Sequence, residues 1–452
     1  MRRKKRPVRR LRKRRKAPRT NQQKALDYQM GYEDGYRQGQ EAGAGSYSIY
    51  FDGTSIIIPS LNQAEKLKAC MQSIAEHTDL PYEIIVVDRG STDDTDKLLK
   101  QMTGQIRYFI MEHGDNSRAA AINRGLMMAK GTTLLIMDSC AQATEYWLDQ
   151  LLYGLSGCGQ AGIVGPMSNG GSGRQRKLLA VEAPDETTYS TPNLFVPSNK
   201  WAETDSLDSF CILFHRALWE NTGYWDERFT AGRFAMEDYC YRVVLQGWRL
   251  LIAEDAYVVY NGDGGDGADS LESDQTEQVN RLWFQDKWSG NGPALRSDAE
   301  AANAALEGKP AGETVFYPQG IAVKGTGSSI YWIEGGKRHL IEGNWPYPVV
   351  QLSNIEIKRW QRGPSINASI MRDPRSQMEG NAACPQPGTV SYSPDGSCYY
   401  FEDGQKRKVL SRAASEAWLL YGRTHVSWVP QTMETLPDGY PIIAPASLRQ
   451  SL

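Results

Sequence analysis

The sequence predicts an α/β fold built on one large sheet, followed by a smaller α+β module. Two continuous apolar runs end in an acid, since EIIVVD closes at Asp88 and TLLIMD closes at Asp138. Runs of this kind are typical of strands buried on both faces of a sheet. Helix-like segments alternate with such runs from Ser55 onward, which favours crossover connections and parallel pairing. The last third of the chain instead repeats short aromatic strands around glycine turns.

The individual elements follow from hydrophobic periodicity and from the positions of Gly and Pro. Strands are predicted at 55–60, 83–88, 106–111, 133–138, 162–166, 209–215, 248–255 and 256–260. Helices are predicted at 63–77, within 91–102, at 116–129, near 237–246 and through Leu282, Trp283, Phe284 and Trp288. Residues 168–205 lack clear periodicity and are predicted as a loop region. Ligands of open α/β sheets bind beyond the carboxyl ends of the strands, so Asp88 and Asp138 are candidate contacts for a charged ligand.

Length and composition indicate how many domains to expect and in which cellular compartment the protein is expected. The chain has 452 residues, more than one hydrophobic core usually organises. We expect a basic arm and linker at 1–50, a main domain at 51–290, a linker at 291–312 and a module at 313–452. The seven cysteines form no CxxC pair, which argues against a zinc site and a disulfide framework. Without an apolar run long enough to span a membrane or a secretory signal, a cytoplasmic location is expected.

The N-terminal arm is strongly basic. Residues 1–19 carry 13 Lys or Arg and no acid, which leaves 38 basic against 53 acidic residues in the remainder. Such a block repels itself, so we expect it to be disordered. One interpretation is a tether to a polyanion, such as a membrane surface, a cell-surface polymer or nucleic acid bound without sequence recognition. The other is a solubilising tail. Residues 20–50 are interpreted as a flexible linker, with a self-association stripe of Tyr and Gly as the alternative.

The C-terminal part holds a weak internal repeat. SIYWIEGGKRHLI at 329–341 matches SCYYFEDGQKRKVL at 397–410, with Tyr331 aligned on Tyr399. Each copy is predicted as a β-hairpin followed by a short helix, and two copies would make a small α+β module. The aromatic and basic side chains suit binding of a glycan or a protein. Equally, the Tyr and Trp side chains form the core of a small domain.

The main domain resembles family 2 glycosyltransferases, which have the GT-A fold with a Rossmann-like mixed sheet. The resemblance starts from SIIIPSLN and PYEIIVVDRGSTDDT and continues in order through Asn123-Arg124-Gly125, Asp138, GYWDERF at 223–229, and Glu237-Asp238 with Arg242. It covers about 53–290 and leaves out the basic arm and the repeats. It implies transfer of a sugar from a nucleotide sugar, of the UDP type, to an acceptor hydroxyl with inversion. A glycan or surface acceptor, in the synthesis of a cell-envelope or surface polysaccharide, is expected.

The resemblance places the donor at the strand ends and at the helix that follows. Asp88 would bind the nucleoside, while Ser91 and Thr92 would cap a helix whose N–H groups face the phosphates. The alternative is that STDDT is a capping sequence only. The donor-binding residues implied by the resemblance are Pro59, Asn62, Asp88, Ser91, Asn123, Arg124 and Asp138.

The resemblance also implies a divalent cation, Mn²⁺ or Mg²⁺, at Asp138. Hard oxygen ligands suit these ions, and the family usually has Asp-x-Asp at this point. Here the segment reads Asp138-Ser139-Cys140, and the position of a usual later His holds Tyr260 or Asn261. Three outcomes are open: a weak metal site at Asp138, a basic side chain in place of the metal, or loss of activity.

Glu237 and Asp238 are the catalytic candidates. The resemblance makes Asp238 the base that deprotonates the acceptor hydroxyl at the start of a helix, with Glu237 positioning it or contacting the acceptor. The alternative is a pair of ordinary carboxylates at a helix N-terminus. Trp225, Asp226 and Arg228 are assigned to the acceptor side, with packing and an ion pair as their alternative role.

Two other functions compete with the transferase interpretation. The first is a catalytically degenerate nucleotide-sugar-binding or scaffold protein anchored to a polyanionic surface, which the Cys at position 140 favours. The second is a nucleotidyltransferase, which uses the same kind of sheet and acids. It ranks low because SLNQAEK lacks the Gly-rich loop with Lys or Arg that such enzymes carry after their first strand.

Overall fold

The computed structural model describes residues 49–111, 117–170, 173–177, 200–230, 232–262, 274–288, 309–371, 386–393, 395–423 and 434–448. The interpretations of the basic arm and of nearly all of both linkers lie outside these residues. From Phe51 onward the chain forms one compact unit, Phe51–Leu452. No helix in the described part of the chain has the length and hydropathy needed to cross a membrane.

A large sheet dominates the first part of this unit. Its strands are β1 (Phe51–Ser60), β2 (Tyr82–Asp88), β3 (Arg107–Ile110), β4 (Gly131–Met137), β5 (Ala141–Ala143), β6 (Ala161–Ser168), β7 (Trp201–Thr204), β8 (Cys211–His215) and β9 (Arg249–Tyr260). Along the main path the order is β3-β2-β1-β4-β8-β6-β9-β5, with β7 paired to β9. The two strands predicted at 248–255 and 256–260 are one strand, β9.

The sheet is mixed, as the family resemblance implies. Strands β1 to β4 pair in parallel, with Ser60 opposite Asp88 and Ile57 opposite Ile136. Strand β8 runs antiparallel to both β4 and β6, and β5 and β7 run antiparallel to β9. The parallel pairing that the β–α alternation favours holds for β1 to β4, and the mixed sheet implied by the resemblance is confirmed. The parallel part brings the carboxyl ends of β1, β2 and β4 to one edge.

The helices of this part are α1 (Ala64–Glu76), α2 (Thr95–Gln101), α3 (Arg118–Met128), α4 (Trp147–Gly157), α5 (Arg216–Thr222), α6 (Gly232–Leu245) and α7 (Asp274–Trp288). Helix α1 buries Leu67, Cys70, Met71 and Ile74, the apolar positions that recur at helical spacing. Helix α6 begins at Gly232, five residues before the predicted start near 237.

Both faces of the sheet are covered, which explains the continuous apolar runs. In β1, Ile57 belongs to one buried cluster, while Ile56 and Ile58 belong to the cluster on the other face. Because successive side chains of a strand point to opposite faces, both sets of positions must be apolar. Burial on two faces is thus the physical origin of the EIIVVD and TLLIMD patterns.

The C-terminal part contains the two hairpins expected from the repeat. Its elements are β10 (Ile321–Lys324), β11 (Ile330–Glu334), β12 (Lys337–Glu342), β13 (Val350–Gln351), α8 (Asn354–Lys358), β14 (Gln361–Arg362), β15 (Ile366–Asn367), β16 (Val390–Tyr392), β17 (Cys398–Glu402), β18 (Gln405–Val409) and α9 (Arg412–Ala417). The hairpins β11–β12 and β17–β18 have equivalent registers: Glu334 pairs with Lys337, and Glu402 pairs with Gln405. A short helix follows each hairpin.

The repeats and the large sheet share one hydrophobic core. A single buried cluster includes Tyr239 of α6 together with Tyr317, Tyr400 and Trp418 of the C-terminal part. A buried ion pair joins the same regions, because Arg242 Nη2 donates to Glu313 Oε2 at 3.0 Å. The two parts fold against each other as one body within the unit.

Candidate donor and acceptor site

The loops after β1 and β2 are tied together at the sheet edge. Asp88 is buried and accepts two bonds from Ser91, from the hydroxyl at 2.5 Å and from the backbone N–H at 3.1 Å. The Asn62 backbone N–H donates to Ser91 Oγ at 2.8 Å, and Asn62 Oδ1 accepts from the Thr92 N–H at 2.7 Å. Asn62 has a φ of 52°, a left-handed conformation that Asn tolerates. Pro59 is buried in β1 beside this edge.

Ser91 and Thr92 do not cap the next helix, in contrast to the expectation from STDDT. Helix α2 begins at Thr95, and the Thr95 N–H donates to Asp93 Oδ1 at 3.0 Å. The two hydroxyl residues are used for the loop contacts with Asp88 and Asn62 instead. With seven residues, α2 is too short to gather a large dipole, so its N-terminus is not a strong phosphate site.

Asp138 lies at the same edge and is already neutralised by a partner. Its side chain is fully buried; Arg118 Nη1 donates to Oδ2 at 2.8 Å and the Cys140 N–H donates to Oδ1 at 2.8 Å. Arg118 is the first residue of α3 and is also buried, and its Nη2 donates to the Ser209 carbonyl at 3.1 Å. The carboxylate is therefore part of a buried ion pair.

The residues around Asp138 do not fit the expected cation. Burial, with the nearby Asp138 charge, raises the pKa of the Cys140 thiol to about 12, so it stays protonated at neutral pH. The Asn261 N–H donates to the Cys140 carbonyl at 2.9 Å, so this segment lies beside Cys140, but neither Tyr260 nor Asn261 supplies an imidazole. Among the described residues, no group of three His, Cys, Asp or Glu side chains is arranged to hold a metal. The prediction of Mn²⁺ or Mg²⁺ at Asp138 is not supported by this geometry.

Asp238 lies in the interior, not at an open helix start. It is the seventh residue of α6 and is fully buried. Its Oδ1 lies 2.6 Å from Lys287 Nζ and accepts from the Trp288 indole N–H at 2.9 Å, while Oδ2 lies 3.8 Å from Arg242 Nη1. A carboxylate in this position is surrounded by cations and has no exposed face toward an acceptor.

Glu237 is the more accessible member of the pair. Its side chain is 27% exposed and accepts from Arg233 Nε at 3.0 Å. Helix α6 starts beside the Asp138 ion pair, because a Cβ at Gly232 would lie 3.0 Å from Arg118 Cδ. Burial, together with the nearby charges of Glu237 and Asp208, raises the pKa of the Cys240 thiol on the same helix to about 12.

The residues assigned to the acceptor side form a buried ion cluster. Asp226 is fully buried and pairs with Lys287 at 2.8 Å and with Arg228 at 2.7 Å. Burial opposes ionisation of Asp226, but the charges of Lys287 and Arg228 outweigh it and lower its pKa below the usual value. Trp225 is 1% exposed and stacks on Tyr239 with ring centroids 4.9 Å apart. Packing and an ion pair, the alternative role, is what the structure shows for these three residues.

Asn123 and Arg124 also have structural partners. Asn123 is fully buried; its side chain donates to the Trp225 carbonyl at 2.9 Å and accepts from the Trp225 N–H at 2.8 Å. These two bonds hold the backbone of the segment that carries Asp226. The polar atoms of Asn123 are therefore used inside the protein and not at the sheet edge. Arg124 lies over the Phe109 ring of β3, with 4.6 Å between the guanidinium carbon and the ring centroid.

Three residues at the site were not identified from the sequence. Arg118 follows a Ser that caps α3, a signal for a helix start but not for an ion pair with Asp138. Gln63 joins two loops, since its Oε1 accepts from Ser139 Oγ at 2.5 Å. Lys287 lies 61 residues after Asp226 and 49 residues after Asp238, and no local pattern indicates such contacts.

Comparison with known proteins identifies the first part of the unit. The family model described as "Glycosyl transferase family 2" matches residues 55–220. The resemblance predicted from the motifs is confirmed. Glycosyltransferase AglE of Haloferax volcanii is 23% identical over 190 residues, covering 40% of this chain and 62% of that protein. A PGL/p-HBAD biosynthesis glycosyltransferase of Mycobacterium bovis is 40% identical over 87 residues, covering 19% of this chain and 34% of that protein.

Solved structures of glycosyltransferases are similar to part of this chain. Mannosyltransferase PcManGT from Pyrobaculum calidifontis, in complex with GDP-Man and Mn²⁺, has a TM-score of 0.39 and 19% identity over 57% of this chain and 78% of that one. TarS from S. aureus, in complex with UDP-GlcNAc, has a TM-score of 0.38 and 18% identity over 57% of this chain and 73% of that one. The chain spans less than two thirds of the length of the sequence relatives named above.

Proposed function

We propose that this protein transfers a sugar from a nucleotide-sugar donor to an acceptor hydroxyl. The observation that carries the proposal is the family 2 match over 55–220, combined with the convergence of β1, β2 and β4 at one edge. Asp88, Asn62, Ser91 and Asp138 lie at or beside that edge. Crevices at the carboxyl ends of parallel strands are where open α/β sheets bind their ligands.

The chemistry proposed is a single displacement with inversion. The acceptor oxygen bonds to the anomeric carbon while the bond from that carbon to the donor diphosphate breaks, so the nucleoside diphosphate leaves with the electron pair. The proton of the acceptor hydroxyl must pass to a base. We assign that base to Glu237, because its carboxylate is accessible whereas Asp238 is enclosed by Lys287, Trp288 and Arg242. Asp238 then acts as a positioning residue for α6.

Donor binding is proposed to proceed without a resident divalent cation. Arg118 already supplies the positive charge beside Asp138, so Asp138 does not present an uncompensated negative charge to the diphosphate. The donor is proposed to be UDP-linked, in line with the family motifs. The acceptor is proposed to be a glycan or another surface polymer, with the basic arm 1–19 holding the protein near a polyanionic surface.

The second candidate is a nucleotide-sugar-binding protein without turnover. It is favoured by the ion pairs that hold Asp138 and Asp238, since each acid has a cationic partner inside the protein. An assay of sugar transfer and donor hydrolysis with UDP-GlcNAc, UDP-glucose and GDP-mannose separates the two. Release of nucleoside diphosphate that is lost in Glu237→Gln supports the transferase. Calorimetric binding of UDP with no release from any donor supports the binding protein.

A further inference from the structure

A cavity lies between the two C-terminal repeats, far along the chain from the donor edge. Its volume is ≈ 200 Å³, and both repeats contribute aromatic walls. The side chains that matter are Trp332, Trp345, Tyr347, Trp418, Tyr421 and Arg423. Neither repeat forms the cavity alone, since Trp332 belongs to the first hairpin whereas Trp418 and Tyr421 follow the second.

Two buried donors in the cavity wall lack acceptors in the described part of the chain. The Trp345 indole N–H is buried and makes no hydrogen bond there. Arg423 donates from Nη2 to the Gly320 carbonyl at 2.8 Å and lies over the Tyr400 ring, yet its buried Nη1 makes no hydrogen bond to any described residue. An unmade hydrogen bond of a buried donor is costly, so these donors indicate a ligand with oxygen acceptors.

The aromatic rings form a cup and not a flat groove. Trp332 and Trp345 have centroids 5.9 Å apart at an angle of 54°, and Tyr347 meets Trp345 edge-on at 5.0 Å and 84°. Tyr421 is 65% exposed and stands at the rim. Grooves for proline-rich peptides use aromatic ridges along an extended chain, which this arrangement does not provide. A purely apolar ligand would leave both donors unpaired.

We propose that this cavity binds a saccharide unit of a glycan at a site separate from the donor edge. The C–H face of a sugar ring packs on the indole and phenol rings, while its hydroxyl and ring oxygens accept from Trp345 and Arg423. The proposal does not depend on turnover, since a chain without transferase activity would bind the glycan equally well. In an active enzyme, the site would keep a polymeric acceptor near the sheet edge.

Binding is tested on the full chain with an array of neutral and acidic oligosaccharides. The oligosaccharide that binds most strongly is then titrated into the protein, and binding is followed by intrinsic tryptophan fluorescence. Trp345→Phe keeps the aromatic wall but removes the N–H. This variant and Arg423→Gln are each expected to raise the Kd about threefold to tenfold. Tyr421→Ala removes an exposed ring and is expected to weaken binding by a similar factor.

Tyr392→Ala is the matched control, because Tyr392 is an exposed tyrosine of the same region outside the cavity lining. Its Kd is expected to equal that of the parent chain. The proposal is overturned if no glycan of the array binds, or if all three cavity variants bind as well as the control. It is also overturned if a proline-rich peptide binds in the cavity and the glycans do not. Donor hydrolysis is measured in parallel, and unchanged hydrolysis in the cavity variants shows that the donor edge is intact.

Discussion

Arg118 Nη1 lies 2.8 Å from Asp138 Oδ2, and both side chains are buried. The acid that the family motif assigns to a cation is therefore paired with an internal guanidinium. Buried ion pairs of this kind are costly to break, because removal of one partner leaves the other charge uncompensated. On the proposal that no cation is resident at Asp138, the Cys at position 140 removes no ligand that the site needs.

Chelation is the direct test of this relationship. We expect donor binding and donor hydrolysis to be unchanged by EDTA and by added Mn²⁺, because Asp138 has no free oxygen pair to offer an ion. Calorimetry with UDP at several Mn²⁺ concentrations measures the effect. A UDP affinity that rises steeply with Mn²⁺ would contradict the assignment.

A double-mutant cycle measures the pair itself. Arg118→Met and Asp138→Asn are each expected to destabilise the protein, and the double variant is expected to lose less than their sum. The coupling energy should be on the order of 2 kcal/mol, as for charged groups in direct contact. Urea unfolding of the four proteins provides the values, and additive losses would show that the two charges do not interact.

Separate substitution of Glu237 and Asp238 by their amides distinguishes a catalytic base from a residue that supports the fold. Glu237→Gln is expected to lower turnover by roughly 10²–10⁴-fold with an unchanged unfolding midpoint, because a half-buried carboxylate is lost from the acceptor side only. Asp238→Asn is expected to lower the unfolding midpoint, since Lys287 and Arg242 lose a buried counter-charge. The reverse pattern, with turnover lost in Asp238→Asn at full stability, would return the base to the residue that the family motif indicates.

Substitution of the buried Lys287 is expected to cause a large loss of unfolding free energy. Lys287 is about 2% exposed and pairs with Asp226 at 2.8 Å and Asp238 at 2.6 Å. Lys287→Met leaves two buried carboxylates near each other, and we expect a loss of about 3–5 kcal/mol of unfolding free energy. Lys97→Met is the control, because Lys97 pairs with Asp94 on the surface and its loss should leave stability unchanged. Equal losses of unfolding free energy for the two substitutions would show that the buried ion pairs of Lys287 contribute no more to stability than the surface pair of Lys97.

The pH dependence of stability follows from Glu313. Burial alone would raise the pKa of Glu313, but the charges of Arg242 and Arg359 outweigh it and lower the pKa to about 2. A depressed carboxyl pKa contributes stability that is complete above the unfolded-state value of about 4.3 and is lost as the pH falls toward the folded-state value. Urea unfolding from neutral pH to about pH 2.5 should therefore show falling stability, with a shallower slope in Glu313→Gln. Identical slopes in the two proteins would remove Glu313 from the list of groups that govern acid sensitivity.

The strands could be predicted from the sequence because burial on both faces imposes a local signature. Three consecutive residues show this, because Ile57 packs in the cluster on one face of the sheet while Ile56 and Ile58 pack in the cluster on the other. The direction of a strand leaves no such signature, so the antiparallel placement of β8 was not predicted. Its apolar run CILFH reads the same whether its neighbours run parallel or antiparallel.

The site was predicted only as far as the motifs locate residues along the chain. Asp88, Asn62 and Ser91 are brought together as expected, because they follow two neighbouring parallel strands. The orientation of Asp238 depends on where α6 begins, and the cation that holds it lies on another helix. Contacts of this kind are set by tertiary packing and have no counterpart in local spacing.

The buried pair of Arg242 and Glu313 has a consequence for how such a chain can change over generations. In a chain shortened after α7, Arg242 would keep its bonds to the Thr222 and Tyr224 carbonyls but lose its buried carboxylate partner Glu313. The apolar cluster around Tyr239 would lose its C-terminal members. Shuffling the repeats onto an unrelated partner would meet the same penalty. We therefore expect the two parts to be retained together, unless Arg242 is replaced as well.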